Sequence, residues 1–486
     1  MRPLQPQPRP RPLLLVVVLL AVLAAAAHAC PMERCDTGLS GFASGDGLAL
    51  GANGAKVLWF VTDHSTAIGE IDSGCVANGG AAVCACNGAF NADRLMSLNP
   101  ANGSVLFDLP DLSSSAVTLP LLDYTGGTIG WDSHSIARCE GTGIVDWAVP
   151  LLPAPAGRVF SPMMSDSGVI MLLSDDGGVT GMYANGVPDA HVTLNVTRSG
   201  VQGSWIPLGM PSGVGTVAYA ATRWLPDSGD APYPYVGSLV AIQTSGAIGG
   251  RLQPVWNLEY NLHPLSFNNT AFTIPLVAAD GALIVLAAAS SDLYQFSVLI
   301  IEDKTDRGVI RSRIDLSWSD TLSGQIVQDA VLDHAFTGST SGKETSLWLT
   351  FADSSALVRI DVIAGKVVST IDLNHQFGTA LQGAQAMSRA LAFSMQNSTA
   401  NVFGLVFVCR LPSGQPHLVA LQLPTDIPAT TAPQYLWSVP LPELGNSPQY
   451  AIWGQIAAAT LPAPSNYGML LLLPSSVGLY GIGVSL

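Results

Sequence analysis

Short apolar strands that end in a polar residue recur along the chain with nearly even spacing. The clearest copies follow the pattern apolar-x-x-apolar-polar, at Leu95–Asn99, Leu239–Gln243, Val298–Glu302, Leu357–Asp361 and Leu418–Gln422. Weaker copies occupy Ser135–Cys139 and Val179–Tyr183. The final residues of these copies are separated by 40, 44, 60, 59, 59 and 61 positions. A unit that recurs at this period indicates a repeat architecture.

Each copy continues into a turn and a second strand, and that strand often carries tryptophan. Cys139 is followed by a tight turn closed by Gly143 and then by a strand with Trp147. Comparable turns or tryptophans occur at Asn102-Gly103, Ala364-Gly365, Trp256 and Trp437. Glycine adopts a positive φ at little cost, and we expect the tryptophan to cover the edge of a neighbouring sheet.

These repeats predict an all-β fold, and their resemblance to β-propeller repeats implies a β-propeller of eight four-stranded blades, with seven blades as the alternative. Seven copies each define a blade, and Tyr467–Leu473 with Val477–Gly481 match the second and third strands of another. That blade would lack an outer strand, and residues before Val57 would supply it, which closes the ring without a free sheet edge. The apolar C-terminal segment also fits a lipid-anchor signal, but blade strands explain it better.

Composition supports a sheet protein. Charged residues are 11% of the chain, and it contains 49 Gly and 33 Pro. Apolar runs such as Val57–Val61, Leu283–Leu286 and Val402–Val408 are short and bounded by turn residues. Such runs are typical of strands that are covered on both faces.

The N-terminal segment predicts export. Arg2, Arg9 and Arg11 precede an apolar run from Leu13 to Ala27, and Ala27-His28-Ala29 forms a small-x-small cleavage site. We therefore expect a signal peptide at residues 1–29, followed by a single propeller domain at residues 30–486 of a secreted protein. A membrane anchor is disfavoured because the run is short, and lipidation at Cys30 is disfavoured by His28.

The charge balance narrows the class of partner. The chain has 20 basic and 35 acidic residues, and removal of residues 1–29 moves its net charge from −15 to −18. Nucleic acid and anionic membranes bind basic surfaces, so neither is expected as a partner.

Cysteine usage also fits an oxidising compartment. The disulfide candidates cluster in the first third of the chain, at Cys30, Cys35, Cys75, Cys84, Cys86 and Cys139. Their pairing stays open, because six cysteines allow about 15 connectivities. We expect Cys75, Cys84 and Cys86 to cross-link a Gly/Ala-rich insertion of the first blade. We expect Cys409 to be a buried free thiol. The absence of paired C-x-x-C knuckles disfavours a metal site.

Four sequons are candidate glycosylation sites for an exported protein, at Asn102, Asn195, Asn268 and Asn397. Asn102 is favoured because it occupies a predicted exposed turn of a blade.

Three Asp–His segments are the strongest candidates for chemistry: Asp63-His64, Asp132-Ser133-His134 and Asp333-His334. On one rim they would form metal ligands or an acid/base pair. The simpler interpretation is that each Asp caps a hairpin turn, where its side chain bonds the backbone, while the His is exposed. Asp175-Asp176-Gly177 has the same turn explanation. We therefore predict no catalytic, cofactor-binding or metal-binding residue.

The repeat resembles that of quinoprotein-type (PQQ-like) β-propellers, whose consensus is approximately A-x-D-x-x-T-G-x-x-x-W. Ala137, Thr142, Gly143 and Trp147 match it, and Cys139 replaces the acid. In another copy Asp361 and Gly365 match without the tryptophan, and Ser161–Gly178 resembles the first two strands and their turn. The resemblance covers almost the whole chain after residue 29, in degenerate copies.

The resemblance implies a propeller, and it raises a quinone-dependent oxidoreductase with bound calcium as the alternative function. Quinone-dependent members typically carry an adjacent Cys-Cys pair, whereas Cys84-Ala85-Cys86 is interrupted. The sequence therefore favours a secreted, monomeric scaffold without a cofactor, for an unknown extracellular protein or glycan.

Overall fold

In the computed structural model the chain is built almost entirely of β-strands. The structure describes residues 42–43, 49–61, 74–77, 82–87, 93–109, 119–123, 126–131, 134–153, 159–165, 168–198, 200–227, 236–244, 251–260, 274–278, 280–288, 295–317, 327–334, 345–395, 401–429, 431–444, 455–461, 465–475 and 477–485. The signal peptide predicted at residues 1–29 lies outside them. None of the helices in these ranges is long and apolar enough to cross a membrane.

The strands fall into eight sheets, which are blades arranged round an axis. The first three strands are β1 (Phe42–Ala43), β2 (Ala49–Leu50) and β3 (Ala55–Val61). Blade 1 contains β4 (Gly74–Ala77), β5 (Ala82–Asn87), β6 (Asp93–Leu98) and β7 (Val105–Leu109). Blade 2 contains β8 (Leu121–Leu122), β9 (Thr128–Trp131), β10 (Ser135–Cys139) and β11 (Val145–Pro150). Blade 3 contains β12 (Met163–Met164), β13 (Val169–Leu173), β14 (Gly178–Tyr183) and β15 (Pro188–Thr193).

Blade 4 is enlarged and contains β16 (Asn195–Arg198), β17 (Val201–Pro207), β18 (Ser212–Val214), β19 (Val217–Pro226), β20 (Gly237–Gln243) and β21 (Gln253–Tyr260). Blade 5 contains β22 (Leu276–Val277), β23 (Leu283–Ala288), β24 (Gln295–Asp303) and β25 (Gly308–Ser317). Blade 6 contains β26 (Val327–Leu332), β27 (Ser346–Phe351), β28 (Ala356–Asp361) and β29 (Lys366–Asp372), and the helix α1 (Leu373–Gln376) and a 3₁₀ turn (Gly378–Ala380) follow it.

Blade 7 contains β30 (Gln385–Ala386), β31 (Leu391–Met395), β32 (Val402–Arg410), β33 (Pro416–Pro424) and β34 (Gln434–Pro440), followed by a 3₁₀ turn (Pro442–Leu444). Blade 8 contains β35 (Ala457–Thr460), β36 (Tyr467–Ser475) and β37 (Gly478–Ser485). In every blade the strands run antiparallel, and we name them A to D from the axis outward. All seven repeat copies found in the sequence are C strands. This confirms the predicted all-β propeller of eight blades.

The ring is closed by the N-terminal strand β3, as predicted. β3 pairs with β37, from Ala55 opposite Val484 to Val61 opposite Leu479, and becomes the D strand of blade 8. The expectation that residues before Val57 form this strand is only partly correct. Most of the strand is the apolar run Val57–Val61 itself, because that run packs on the core of blades 7 and 8.

Each C–D pair contains one register shift. The shifts include Arg138/Cys139 in blade 2, Ile300/Ile301 in blade 5 and Arg359/Ile360 in blade 6. An extra residue in one strand increases the local twist and bends the strand. The bulge is therefore a repeated feature of the blade, and it bends the outer strand in the same way in every blade.

Aromatic residues of the D strands cover glycines of the next blade, as predicted for the tryptophans. A Cβ on Gly186, in the C–D turn of blade 3, would lie 2.7 Å from the ring of Trp147 in blade 2. Trp59 covers Gly103 and Trp256 covers Gly308 in the same manner. These contacts explain why these three positions need a residue without a side chain.

The first strands occupy an unexpected place. β1 and β2 pair in parallel with β31, on the side of β31 that faces the axis. Leu50 is fully buried there. The chain then passes between blades 7 and 8, where the indole Nε1 of Trp437 donates to the Gly51 carbonyl at 3.1 Å. The N-terminal segment therefore contacts the centre of the ring before it forms the outermost strand.

Candidate functional site

The Asp–His segments do not meet on one rim of the ring. Asp333 and His334 follow the A strand β26 and lie in the A–B connection of blade 6. His134 precedes the C strand β10 and lies in the B–C connection of blade 2. Successive connections of an antiparallel sheet alternate between its two ends, so these positions lie on opposite faces. Asp63, His64, Asp132 and Ser133 lie outside the described residues.

Asp333 bonds the backbone, as predicted for a turn residue, and it is fully buried. Its Oδ1 accepts a hydrogen bond of 2.9 Å from the backbone amide of Ser346. Its exposure is 0%. Burial raises the pKa of Asp333 to about 7, against the opposing effects of the Ser346 amide and the positive charge of Arg359. The predicted backbone bond of Asp333 is therefore confirmed, whereas His334, which was expected to be exposed, is partly buried.

Arg359 is a buried cation that connects two blades. Its Nε donates to Ser346 Oγ at 2.9 Å. Its Nη1 and Nη2 donate to the carbonyl oxygens of Asp426 at 3.0 Å and Thr425 at 2.6 Å, both in the C–D connection of blade 7. The guanidinium lies 5.3 Å from the ring centre of Trp348, a distance at which cation–π attraction contributes. Arg359 thus fastens blade 6 to blade 7.

Sequence reasoning missed this cluster, although one signal was present. Arg359 stands in the middle of the apolar C strand Leu357–Asp361. A buried arginine requires acceptors for its donors, which predicts nearby carbonyl or carboxylate oxygens. The partners could not be identified, because Thr425 and Asp426 lie in another blade.

The contacts of Asp333 and Arg359 limit the reactions in which this cluster could take part. An acid that titrates near neutrality can move a proton. Asp333, however, faces a backbone amide and a serine, and the Arg359 donors are used by Ser346 and two carbonyls. Within the described ranges, no group of three or more His, Cys, Asp or Glu side chains could hold a metal ion. The arrangement connects two neighbouring blades through hydrogen bonds.

The turn interpretation of Asp176 is confirmed. The carboxylate Oδ1 of Asp176 accepts from the Gly178 amide at 3.0 Å and from the Ser174 hydroxyl. The Gly177 amide donates to the Ser174 carbonyl at 3.0 Å, which closes the turn between the B and C strands of blade 3.

Among the described residues, Cys75 and Cys84 form a disulfide. These residues face each other across β4 and β5, with a Cα–Cα distance of 4.1 Å. They lie in the A and B strands of blade 1 and not in an insertion, because the Gly/Ala-rich stretch itself forms these strands. Cys30 and Cys35, and the side chain of Cys86, lie outside what the structure describes.

Two cysteines are buried free thiols, Cys139 and Cys409. For Cys409 this confirms the prediction. Cys139, a disulfide candidate from its sequence position, is in the C strand β10 with its thiol unbonded. Burial raises the pKa of both thiols, which disfavours the reactive thiolate.

The structure describes two of the four sequons. Asn102 is exposed in the C–D turn of blade 1, where its Oδ1 accepts from the Ser104 amide at 3.0 Å. Asn195 is exposed at the start of β16, and its Oδ1 accepts from Ser204 Oγ at 2.7 Å. Asn268 and Asn397 lie outside the described residues. The use of any of these sites stays a prediction.

Exposed aliphatic side chains are concentrated on one face of the propeller. They occupy the C–D connections and the first residues of the D strands in blades 1 to 6, and their exposure ranges from 38% at Val309 to 65% at Ile144. We call this set the C–D rim: Val105, Leu106, Ile144, Val145, Val187, Val255, Val309, Ile310, Ile363 and Val367. Within the described residues, the other exposed large aliphatics are Leu152 and Leu225, which lie towards the opposite face.

Comparisons with known proteins give no family. No family model matches the sequence, and no curated protein matches it. Among solved structures, BamB from Moraxella catarrhalis is 15% identical with a TM-score of 0.41, over 70% of this chain and 88% of that chain. A streptogramin B lyase is 10% identical with a TM-score of 0.41, over 88% and 97%. The Pan2 WD40 domain of Neurospora crassa is 10% identical with a TM-score of 0.40, over 90% and 97%.

Proposed function

We propose that this chain is a secreted β-propeller that acts as a binding scaffold, with the C–D rim as its principal binding surface for a protein. The proposal rests on the exposed side chains of the C–D rim. Its residues recur at equivalent positions of six consecutive blades, so they form an arc and not scattered single side chains. Contiguous exposed apolar surface rimmed by polar residues is typical of protein interaction sites.

The character of the rim side chains favours a protein over a small ligand. Most of them are Val and Ile, whose branched side chains lose little rotamer freedom on burial. They lie on convex outer strands and not in a cavity, whereas small-molecule sites are usually concave. An arc of this form suits a partner that spans several blades.

Two matched double variants test the proposed surface. Ile144→Ser/Ile363→Ser changes the rim in blades 2 and 6, and Leu152→Ser/Leu225→Ser changes equally exposed aliphatics towards the other face. Native mass spectrometry of the protein from its own secretions measures the partner mass that it carries. We expect the control variant to retain the partner and the rim variant to lose it, with equal thermal unfolding midpoints. Retention of the partner by the rim variant would contradict the proposal.

Secretion is a separate part of the proposal. It is supported by the signal peptide expected at residues 1–29 and by the Cys75–Cys84 disulfide, which suits an oxidising compartment. N-terminal sequencing of the exported protein tests it. We expect the mature chain to begin at Cys30, and recovery of the protein with residues 1–29 still attached would count against export by this route.

We also propose that the chain is a diverged member of the PQQ-like repeat class. The residues that carry the resemblance occupy the expected places, since Gly143 closes a C–D turn with a φ of 84° and Trp147 covers the glycine of the next blade. The proposal concerns the repeat and not the activity, because the sequence lacks the adjacent Cys-Cys pair typical of quinone-dependent members. Ultraviolet–visible spectroscopy of protein from its native source tests this, and we expect no chromophore band.

A further inference from the structure

We infer that Asn102 carries an N-linked glycan that covers the blade 1 end of the C–D rim and leaves blades 2 to 6 as the surface for the protein partner. This inference rests on the proposed binding function and adds the extent of the binding surface. An N-linked glycan is bulky and hydrophilic, so it keeps a protein away from the surface around its attachment site.

The turn that carries Asn102 is held in one conformation by the ring-closing strand β3. The indole Nε1 of Trp59 donates to the Pro100 carbonyl at 2.9 Å, and the Trp59 ring lies against Gly103. The Asn102 Oδ1 accepts from the Ser104 amide at 3.0 Å. Within the described chain, the Asn102 Nδ2 donates no hydrogen bond, so a glycan on this nitrogen would break no contact. The fold therefore presents the exposed Asn102 side chain for attachment.

The rim residues of blade 1 lie directly beside this turn. Val105 and Leu106 follow Asn102 by three and four positions and are exposed by 42% and 46%. Blade 8, on the other side of the turn, contributes no residue to the C–D rim. A glycan on Asn102 therefore stands at one end of the arc, where it covers these two side chains and leaves the remaining rim accessible.

The residue after the covered glycine differs between blade 1 and other blades. In blades 2, 3 and 5 it is a rim aliphatic: Ile144, Val187 and Val309. In blade 1 it is Ser104, which completes the sequon that begins at Asn102. Blade 1 therefore has the hydroxyl residue that N-glycosylation requires at a position where the other three blades have a rim residue.

The C–D turn of blade 3 is a natural counterpart without the sequon. Asn185 is exposed, and its Oδ1 accepts from the Val187 amide at 3.1 Å, which matches the bond from the Ser104 amide to Asn102 in blade 1. The φ of Gly186 is 81° and that of Gly103 is 71°. The two turns thus share their backbone form, and the third residue decides whether the asparagine is a glycosylation site.

Glycopeptide mass spectrometry of the secreted full chain measures whether Asn102 is modified. We expect a glycan in the wild type and in Ser104→Thr, which keeps the sequon. We expect none in Ser104→Ala, which removes the sequon but keeps the backbone amide that bonds Asn102. An unmodified Asn102 in the secreted wild type overturns the inference.

Hydrophobic-interaction chromatography measures whether the glycan covers the rim. In the Ser104→Ala background, Val105→Ser/Leu106→Ser should shorten the retention, because exposed apolar surface is lost. In the glycosylated protein the same double change should leave retention nearly unchanged. Asn195→Asp removes a sequon at the start of β16, towards the opposite face, and is the control: Val105→Ser/Leu106→Ser should shift retention no more there than in the wild type. Equal shifts in the glycosylated and Ser104→Ala proteins overturn the inference.

A glycan moved to blade 3 tests the extent of the binding surface. Val187→Thr completes a sequon at Asn185, whereas Val187→Ala removes the same aliphatic side chain without one. By native mass spectrometry of the protein from its own secretions, glycosylated Val187→Thr should lose the partner, and Val187→Ala should keep it. Val105→Ser/Leu106→Ser should also keep it. Retention of the partner by glycosylated Val187→Thr, or its loss from Val105→Ser/Leu106→Ser, contradicts a surface limited to blades 2 to 6.

These outcomes are distinct from failure of the proposed function. If Asn102 is unmodified and the rim variant Ile144→Ser/Ile363→Ser still loses the partner, the glycan inference fails while the scaffold proposal stands. If Ile144→Ser/Ile363→Ser keeps the partner, the scaffold proposal fails whether or not Asn102 carries a glycan.

Discussion

At the scale of single residues, an aromatic residue of the preceding blade lies against several glycines of the C–D turns. Gly186 has a φ of 81°, and Trp147 fills the space where a side chain would be. Gly168, in the same blade, has a φ of 75° but nothing within 4 Å of that space. Substitutions at these two positions therefore distinguish the effect of backbone strain from the effect of the interblade contact.

Substitution of these glycines by alanine should give unequal losses of stability. Gly168→Ala should cost about 1 to 2 kcal/mol, because only the left-handed backbone is strained. Gly186→Ala should cost about 1 to 3 kcal/mol more, because the Cβ also displaces the Trp147 ring. Equilibrium unfolding in urea measures both. Equal losses would show that the Trp147 contact adds nothing.

Asp333 gives the molecule a dependence of stability on pH. Its pKa is about 7 in the folded state and is raised from the value of 3.8 expected for an unfolded chain. A raised pKa means that unfolding releases a proton between these values, so stability is full below about pH 4 and falls until about pH 7. At roughly 1.4 kcal/mol per pKa unit, the loss is on the order of 4 kcal/mol.

Asp333→Asn should remove this dependence of stability on pH, because the side-chain amide does not ionise. Its oxygen can still accept a hydrogen bond from the Ser346 amide. We expect the variant to gain stability over the wild type at pH 8 and to match it more closely at pH 4.5, measured by urea unfolding at both values. Asp306→Asn, at an exposed side chain, is the control and should leave the slope as it is. An unchanged slope in Asp333→Asn would refute the assignment.

At the scale of elements, the Cys75–Cys84 disulfide joins the A and B strands of blade 1. It closes a loop with a sequence separation of 9. Cys75→Ala/Cys84→Ala should lower the free energy of unfolding by about 2 to 3 kcal/mol, since the unfolded chain gains freedom. Cys409→Ala removes a buried sulfur without a cross-link and should cost about 1 kcal/mol. Chemical denaturation compares them, and equal costs would contradict a stabilising cross-link.

The sequence predicted the elements that carry a repeated pattern and missed those that do not. The C strands, the glycine turns and the covering tryptophans follow from residues that recur at equivalent positions. The hairpin of β16 and β17 was missed because Asn195–Pro207 occurs once and mixes polar, glycine and aromatic residues. β1 and β2 were missed because strands of two residues have no measurable periodicity.

The candidate sites show the same division. The turn at Asp176 could be predicted because its hydrogen bonds are local, within Ser174–Gly178. The surroundings of Asp333 and Arg359 could not, since Ser346, Thr425 and Asp426 come from other strands or another blade. The C–D rim is a property of exposure, which the sequence pattern alone does not give.

At the scale of the whole molecule, ring closure depends on one strand from the N-terminal part of the chain. A chain that begins at residue 62 lacks β3 and leaves the apolar β37 as an open edge. We expect it to aggregate and to lose cooperative unfolding, as measured by size-exclusion chromatography and circular dichroism. A chain that begins at residue 52 keeps β3 and should fold with reduced stability, because among the described residues it loses β1, β2 and the Gly51 contact.

A peptide of Ala55–Val61 should restore solubility to the chain that begins at residue 62, since it supplies the missing D strand. Full cooperativity in that chain without the peptide would refute closure by β3.

The pairing of β3 with β37 also has a consequence for biosynthesis. β3 leaves the ribosome among the first strands, but its partner Gly478–Ser485 is made last. Blades 1 to 7 can form in order during translation. Until β37 is made, the apolar strand Ala55–Val61 has no partner strand, and we expect chaperones to bind it. Closure is then a contact between distant parts of the chain, which makes it the slow and final step of folding in the cell.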